Sequence, residues 1–326
     1  MTNSAVQIIQ FVHPGFEYHR PEHVGSRHVR SGVMDWKPGN SKHDRKFIVS
    51  RGSLFEPGTG QDHRDASIVF WGEWEGPSVF WRIEDPPGKP GPSIIHAPFR
   101  PEGAPLEPVQ NTDPMVFGGA FVYSNCLQHA YASLRRLTEG SLVLFGRHSR
   151  VAYQPAFSLD TCLVVNRVEA LEPHPFDAAE YGEDVLDDAV LSPLYTEGAV
   201  NAFTVYFGKV RPDDNTPFSF FPARELNDPE RFFARPQLMP TGALEGVISP
   251  ENMQGIKGRT VTAAERDAIW QEVVRQVSDQ GCGLGYRATA PPLVSSQAAE
   301  AAASHAPAPL SADALDGGVS DTFAAR

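Results

Sequence analysis

Residues 68–85, IVFWGEWEGPSVFWRIED, place two apolar runs on either side of Gly76-Pro77. Short β-branched and aromatic runs separated by a turn pair read as strands, so 67–75 and 78–84 are expected to form an antiparallel hairpin. Side chains two apart in a strand share a face. Glu73, Glu75 and Trp71 therefore stand together, and Phe70 and Trp74 point to the other side, toward a core. Two carboxylates at that spacing repel one another, and one that holds its proton more tightly can act as a general acid or base. The competing reading is a plain solvent face, or ion pairs to Arg45, Lys46 or Arg82.

Working outward, VQIIQFV (6–12), RKFIVSRGSLF (45–55), MVFGGAFVYS (115–124), SLVLFG (141–146), FSLDTCLVVNRVEAL (157–171), NAFTVYFGKV (201–210) and PFSFFPA (217–223) have strand character. Residues 13–45 read as a long polar loop. The eight prolines between 85 and 108 predict irregular chain. CLQHAYASLRRL (126–137) spaces Leu127, Ala130, Leu134 and Leu137 as a helix does, and FDAAEYGEDVLDDAVL (176–191) suits a surface helix. The clearest helix follows Thr262-x-x-Glu265, a capping box ahead of Ile269, Trp270, Val273, Val274 and Val277, with Gly281 as its stop. GCGLG (281–285) then reads as a helix stop and turn. From 290 onward Ala, Ser and Pro dominate, too little apolar surface to offset ordering, so 290–326 is expected to be disordered. The sum is an α+β domain over 1–289, β-rich with an antiparallel or mixed sheet and two or three helices. A division near 175–200 is the alternative.

The chain has 326 residues, a formal net charge of −12 and three cysteines. No apolar run approaches a membrane span, and the N-terminus lacks a secretory leader. Three scattered cysteines suit neither a disulfide framework nor a zinc ribbon, and a cytoplasmic setting is expected. Charge is uneven: residues 19–51 hold eight Lys or Arg against three acids. An acidic protein with one basic segment is a poor broad duplex binder but can hold one anionic ligand or a short strand.

Three further segments carry candidate chemistry. In HPGFEYHRPEH (13–23), His13, Glu17, His19 and His23 match no zinc spacing, and Pro21 opposes a helix. His13 at a strand end can hold a phosphate or carry a proton. In KHDRKF (42–47), His43, Arg45 and Lys46 start a strand, and Arg45 can clamp a carboxylate or phosphate. In QNTDPMVFGGAFVYSNC (110–126), Asn111 and Asp113 precede a buried strand and Tyr123 and Asn125 end it, polar groups placed to read a ligand's edges. Cys126 is a candidate nucleophile with His129 near it in sequence, against the plainer reading of a core thiol. Asp160, inside an apolar strand, needs a partner, with Arg147 or Thr161 expected. No P-loop or dinucleotide fingerprint occurs, and no cofactor or metal is implied.

FVHPGFEYHRP, HDRKFIVSRGSLF, IVFWGEWEGPS, QNTDPMVFGG, FVYSNC, GSLVLFG and FSLDTCLVV together resemble a bacterial family with an F-P-H-P-G-x-E-H-like opening and a W-G-E-W-E block, over roughly 8–168. Val12 and Tyr18 depart from that opening; His13, Pro14, Gly15, Glu17 and His19 match it. The family carries no assigned activity, so the resemblance implies no catalytic role. EGSLVLFG after a helix resembles PUA-like domains, small barrels that handle modified bases, and implies a partly closed barrel by analogy alone. The leading expectation is a nucleotide- or nucleic-acid-handling protein. A base would stack on Trp71 or Trp81, Glu73 or Glu75 would accept from its amine, and Arg45 and Lys46 would hold phosphate. The alternatives are a carboxylate-dependent hydrolase or glycan-active enzyme using Glu73 and Glu75, and a non-enzymatic interaction protein using the 85–108 loop and the tail.

Overall fold

The computed structural model describes residues 5–13, 15–18, 29–30, 32–39, 43–57, 63–83, 91–103, 108–171, 184–196, 203–210, 216–249 and 255–304. In chain order the strands are β1 (Val6–Val12), β2 (Gly15–Tyr18), β3 (Val29–Arg30), β4 (Val33–Met34), β5 (His43–Phe55), β6 (Arg64–Glu73), β7 (Ser78–Arg82), β8 (Ile94–Pro98) and β9 (Arg100–Pro101). They continue as β10 (Val122–Tyr123), β11 (Leu142–Val151), β12 (Gln154–Leu171), β13 (Phe203–Gly208), β14 (Phe221–Glu225), β15 (Gln237–Leu238), β16 (Gly255–Val261), β17 (Gly283–Ala288) and β18 (Leu293–Val294). The helices are α1 (Asp184–Leu186) and α2 (Ser192–Thr196), joined by a π-helical segment Asp187–Leu191, then α3 (Ala263–Asp279) and α4 (Ser296–Ser304).

The expected mixed α+β architecture is what forms. One sheet runs β10-β13-β12-β11-β1-β16 with β15 on β12; the other runs β17-β14-β6-β5-β8-β7-β4-β3 with β2 on β5. Because β17 pairs with both β14 and β5, strands β5, β6, β14 and β17 close a ring within the second sheet. Both sheets contribute to two apolar clusters.

The opening stretch is not a hairpin. β6 pairs with β5 and β14, whereas β7 pairs with β8 and β4, so β5 and β8 lie between them. The physical reason is burial on both faces. Val69 and Trp71 belong to one cluster, and Ile68, Phe70 and Trp74 to the other. A central strand covered on both sides reads as a continuous apolar run, and Gly76-Pro77 exits toward a different partner. Each such buried Val or Phe contributes roughly 1.5–3 kcal/mol.

Other expectations also change. Between 85 and 108 the described residues include β8, every residue of which is buried, and β9. Only Leu134–Arg136 of 126–137 is helical, as a 3₁₀ turn, because Leu127 takes φ 59 and breaks the run. The 184–196 helical segment is not a surface element: Val185, Leu186, Ala189, Val190, Leu191 and Leu194 are buried. GCGLG supplies the expected turn at Gly281, φ +74, but its last three residues open β17. Order extends past 290, since β18 pairs with β9 and α4 buries Ala299. Residues 305–326 lie outside the described set. The capping box of α3 forms as read: Thr262 Oγ1 accepts from Glu265 N at 3.2 Å, and Glu265 Oε2 accepts from Thr262 N at 2.8 Å. Among the described residues no helix is long and apolar enough to cross a membrane.

Candidate functional site: a thiol between two histidines

Strand geometry brings the site together. β5 and β6 are antiparallel with Arg45 opposite Glu73, so the start of β5 and the end of β6 share one end of the sheet. His43 and Arg45 are two apart on β5 and project to the same side. His13 follows β1 in the other sheet, where its N–H donates to Gly146 O at 2.8 Å. Gly146 must be glycine: a Cβ there would meet Ser158 O at 2.1 Å.

Arg45 is buried and links three partners. Its Nε donates to Asp160 Oδ2 at 3.1 Å, its Nη1 donates to Glu73 Oε2, and its Nη2 contacts His13 Nδ1. Arg235 donates to the other oxygen of Asp160 at 2.8 Å. Asp160 on β12 is thus hydrogen-bonded by Arg45 and Arg235, with the expected Arg147 contributing its charge, and Arg45 bridges the two sheets. Burial pushes the Asp160 carboxyl up to about 6 against the pull of Arg45. Burial also lowers Arg235 to about 9.

Cys126 lies beyond β10, on a loop fixed by Asp113. That carboxylate accepts from three consecutive backbone N–H groups: Ser124 at 2.8 Å, Asn125 at 2.7 Å and Cys126 at 2.7 Å. Burial raises the Asp113 carboxyl to about 6, opposed by those three bonds. Tyr123 Oη donates to Cys126 O at 2.8 Å, and Asn111 Nδ2 to Ser124 Oγ at 3.2 Å. Leu127, next in sequence, sits in the left-handed region, which costs a non-glycine residue about 1–2 kcal/mol. The clamp on its neighbours holds that conformation in place.

The thiol faces both histidines. His13 Nε2 is 3.0 Å from Cys126 Sγ, and a ring nitrogen of His43 lies within 4.8 Å of the sulfur. His43 Nδ1 lies 2.8 Å from Glu73 Oε1 and 3.3 Å from Glu75 Oε1. Burial alone would lower His43; Glu73, with help from Cys126 and Glu75, holds it well above the ordinary imidazole value. His13 moves the other way, pushed well down by burial, then by the charges of Arg45 and His43. Burial pushes the Cys126 thiol up, and His43 pulls it back. The carboxylates are firmly placed: Glu73 Oε1 accepts from Asp113 N at 2.9 Å, and Glu75 Oε1 from Asp44 N at 2.6 Å.

Lys46 faces away from this centre. It is fully buried and donates to Trp74 O at 2.6 Å and Gly76 O at 3.1 Å; burial lowers it to about 8. Lys37 pairs with Asp44, whose carboxyl burial and Glu75 raise to about 6. Trp71 and Trp81 are core residues, and Trp71 donates to Phe233 O at 2.8 Å. The sequence reading placed His13, His43, Arg45, Glu73, Glu75, Asn111, Asp113, Tyr123 and Asn125 among candidates, and these do converge. It paired Cys126 with His129, whereas the thiol's partners are His13 and His43. Lys37 and Asp44 were visible only as members of the charged 19–51 segment and Gln110 only as part of QNTD, and Arg235 carried no local signal. The side chains of Glu17, His19 and His23 lie outside the described residues.

Two donor sets come within 4.8 Å of one another: His13, His43 and Cys126, and His43, Glu73 and Glu75. In the first, a ligating Nε2 of His13 needs its proton on Nδ1, the atom that faces the donor-only guanidinium of Arg45. In the second, the 2.8 Å separation is that of an Nδ1–H hydrogen bond to a carboxylate. Both arrangements suit proton transfer better than cation binding.

No family model, curated protein or solved structure matches the chain. The PUA-like expectation draws no support from them.

Proposed function

We propose that the chain is an enzyme whose nucleophile is Cys126, whose base is His43 and whose orienting carboxylate is Glu73. The observation that carries this reading is a thiol within 4.8 Å of an imidazole nitrogen, with a buried glutamate contacting that imidazole's Nδ1 at 2.8 Å. The ring nitrogen away from Glu73 takes the thiol proton, and the resulting imidazolium is held by two carboxylates. The sulfur then attacks an electrophilic carbon. For a carbonyl substrate the π pair moves to oxygen, and collapse expels a leaving group that takes its proton from His43. Water, deprotonated by the same imidazole, releases the second product. Activity of this kind replaces the Glu73/Glu75 acid–base pair considered above, because both glutamates are already committed as acceptors.

A planar, amine-bearing substrate such as a nucleobase is the reading of the ligand favoured by one further observation. Glu75 Oε2 is a buried acceptor with no hydrogen bond among the described residues, Lys37 Nζ standing 3.7 Å from it. Such atoms are costly unless a donor meets them. A base offers an adjacent ring N–H and exocyclic amine. Stacking would fall to Trp36, half-buried and donating to Gln110 O at 3.3 Å, in place of Trp71 or Trp81.

The experiment is iodoacetamide labelling of the native protein, read by peptide mass spectrometry, with and without nucleosides and nucleotides. Selective labelling of Cys126, slowed at least about tenfold in Glu73→Gln and blocked by a nucleoside, supports both parts. Labelling that no nucleoside slows removes the substrate assignment; labelling indifferent to Glu73 removes the triad.

A further inference from the structure

The two histidines flanking Cys126 are not equivalent, and Arg45 makes them different. A guanidinium carries five N–H donors and no acceptor. Arg45 Nη2 contacts His13 Nδ1, so that nitrogen must present its lone pair. Neutral imidazole has one ring proton, which is left on Nε2, 3.0 Å from Cys126 Sγ. Glu73 Oε2 also lies near His13 Nδ1, at 3.3 Å, and would favour the opposite tautomer, but this oxygen already accepts from Arg45 Nη1. His43 shows the reverse arrangement: its Nδ1 faces two carboxylate oxygens, and the Gln110 amide 3.0 Å away can turn its carbonyl to it, so this nitrogen is the protonated atom.

We infer that Arg45 locks His13 in the tautomer protonated on Nε2, making His13 a fixed hydrogen-bond donor to the Cys126 sulfur and leaving His43 as the base. His13 touches the reacting atom and is a catalytic residue; Arg45 acts through it and is a positioning residue. The assignment rests on the thiol reading above and adds what stabilises the thiolate. The customary backbone donor is not free for that task, because Cys126 N is bound to Asp113 at 2.7 Å. A donor held at the sulfur favours the thiolate, which is the nucleophilic form of the thiol. Burial and the nearby Arg45 and His43 charges keep His13 from gaining a second proton, so it stays a single-proton donor.

The test is two-bond ¹H–¹⁵N correlation on ¹⁵N-histidine-labelled full-length protein at neutral pH, with His13 assigned by His13→Gln. The wild type should show His13 neutral and protonated on Nε2, and His43 as the imidazolium, protonated on both ring nitrogens. Arg45→Met should free Nδ1 to donate to Glu73, and His13 should shift toward the Nδ1-protonated form. Arg45→Lys, whose head is also donor-only, should keep the Nε2-protonated form as the major species. Cys126 alkylation should fall about tenfold in His13→Leu and recover in His13→Gln, whose amide N–H stands near the place of Nε2–H. Should Arg45→Met fail to fold, the wild-type spectrum still decides: an Nδ1-protonated His13 overturns the inference. So does an unchanged tautomer in folded Arg45→Met. Slow alkylation in a protein with the expected His13 tautomer would instead sink the thiol reading and leave the locking by Arg45 standing.

Discussion

Lys46 offers a test of how strongly burial acts on this fold. Its ammonium is fully enclosed, bound to two carbonyls, and lowered from 10.5 to about 8, chiefly by desolvation. In the unfolded chain the same amine ionises at its ordinary value. Between pH 8 and 10.5 the unfolded form therefore holds a proton that the folded form has released. Unfolding takes up that proton, so stability rises with pH across this window and is lost again as pH falls through 8. The difference of 2.5 pH units, at about 1.36 kcal/mol each, sets a ceiling of about 3 kcal/mol. From pH 7.5 to pH 10 about 2 kcal/mol of it should be recovered. Lys46→Met keeps the stem and removes the titration. Urea unfolding of both proteins at the two pH values isolates the effect, since every other group titrates in both. The wild type should gain about 2 kcal/mol relative to the variant on going to pH 10. Parallel behaviour within about 0.5 kcal/mol would mean that the two carbonyls and the neighbouring acids fully offset desolvation, and the reasoning would be refuted.

Three further outcomes are expected. Arg45→Met should cost about 3–5 kcal/mol in urea unfolding, since Glu73 and Asp160 lose a buried cation; adding Asp160→Asn should recover part of it, giving a double mutant more stable than the sum of the singles. Gly146→Ala should cost about 1–3 kcal/mol by overpacking against Ser158 O, and it should also slow Cys126 alkylation, because Gly146 O positions His13. Thr262→Ala should cost about 1 kcal/mol through loss of the α3 cap, with no change in Cys126 reactivity.

Local signals in the sequence reached as far as their physics allows. The α3 helix was legible because its cap, apolar stripe and stop lie within one segment, and most strand positions followed from apolar runs. Partnering did not. IVFWGEWE looks alike whether it turns back as a hairpin or crosses a sheet core, and only the second cluster behind Phe70 and Trp74 decides. The helix expected at 126–137 failed for a non-local reason. Asp113, thirteen residues before Cys126, captures the N–H groups that would have started it. The centre itself was half visible: Glu73, His43, Arg45 and His13 stood out as polar groups at strand ends. Their connection through Asp160, and the pairing of Cys126 with histidines far away in sequence, depends on two sheets meeting. No spacing along the chain encodes that.

The central claim is tested most directly by the alkylation rate of Cys126 against that of Cys162 and Cys282, buried thiols whose ionisation burial suppresses. Iodoacetamide at pH 7 should modify Cys126 first, and His43→Gln should slow that reaction at least about tenfold while leaving the other two unchanged. A Cys126 that reacts no faster than Cys162, or equally fast with and without His43, would contradict a nucleophile activated by this imidazole.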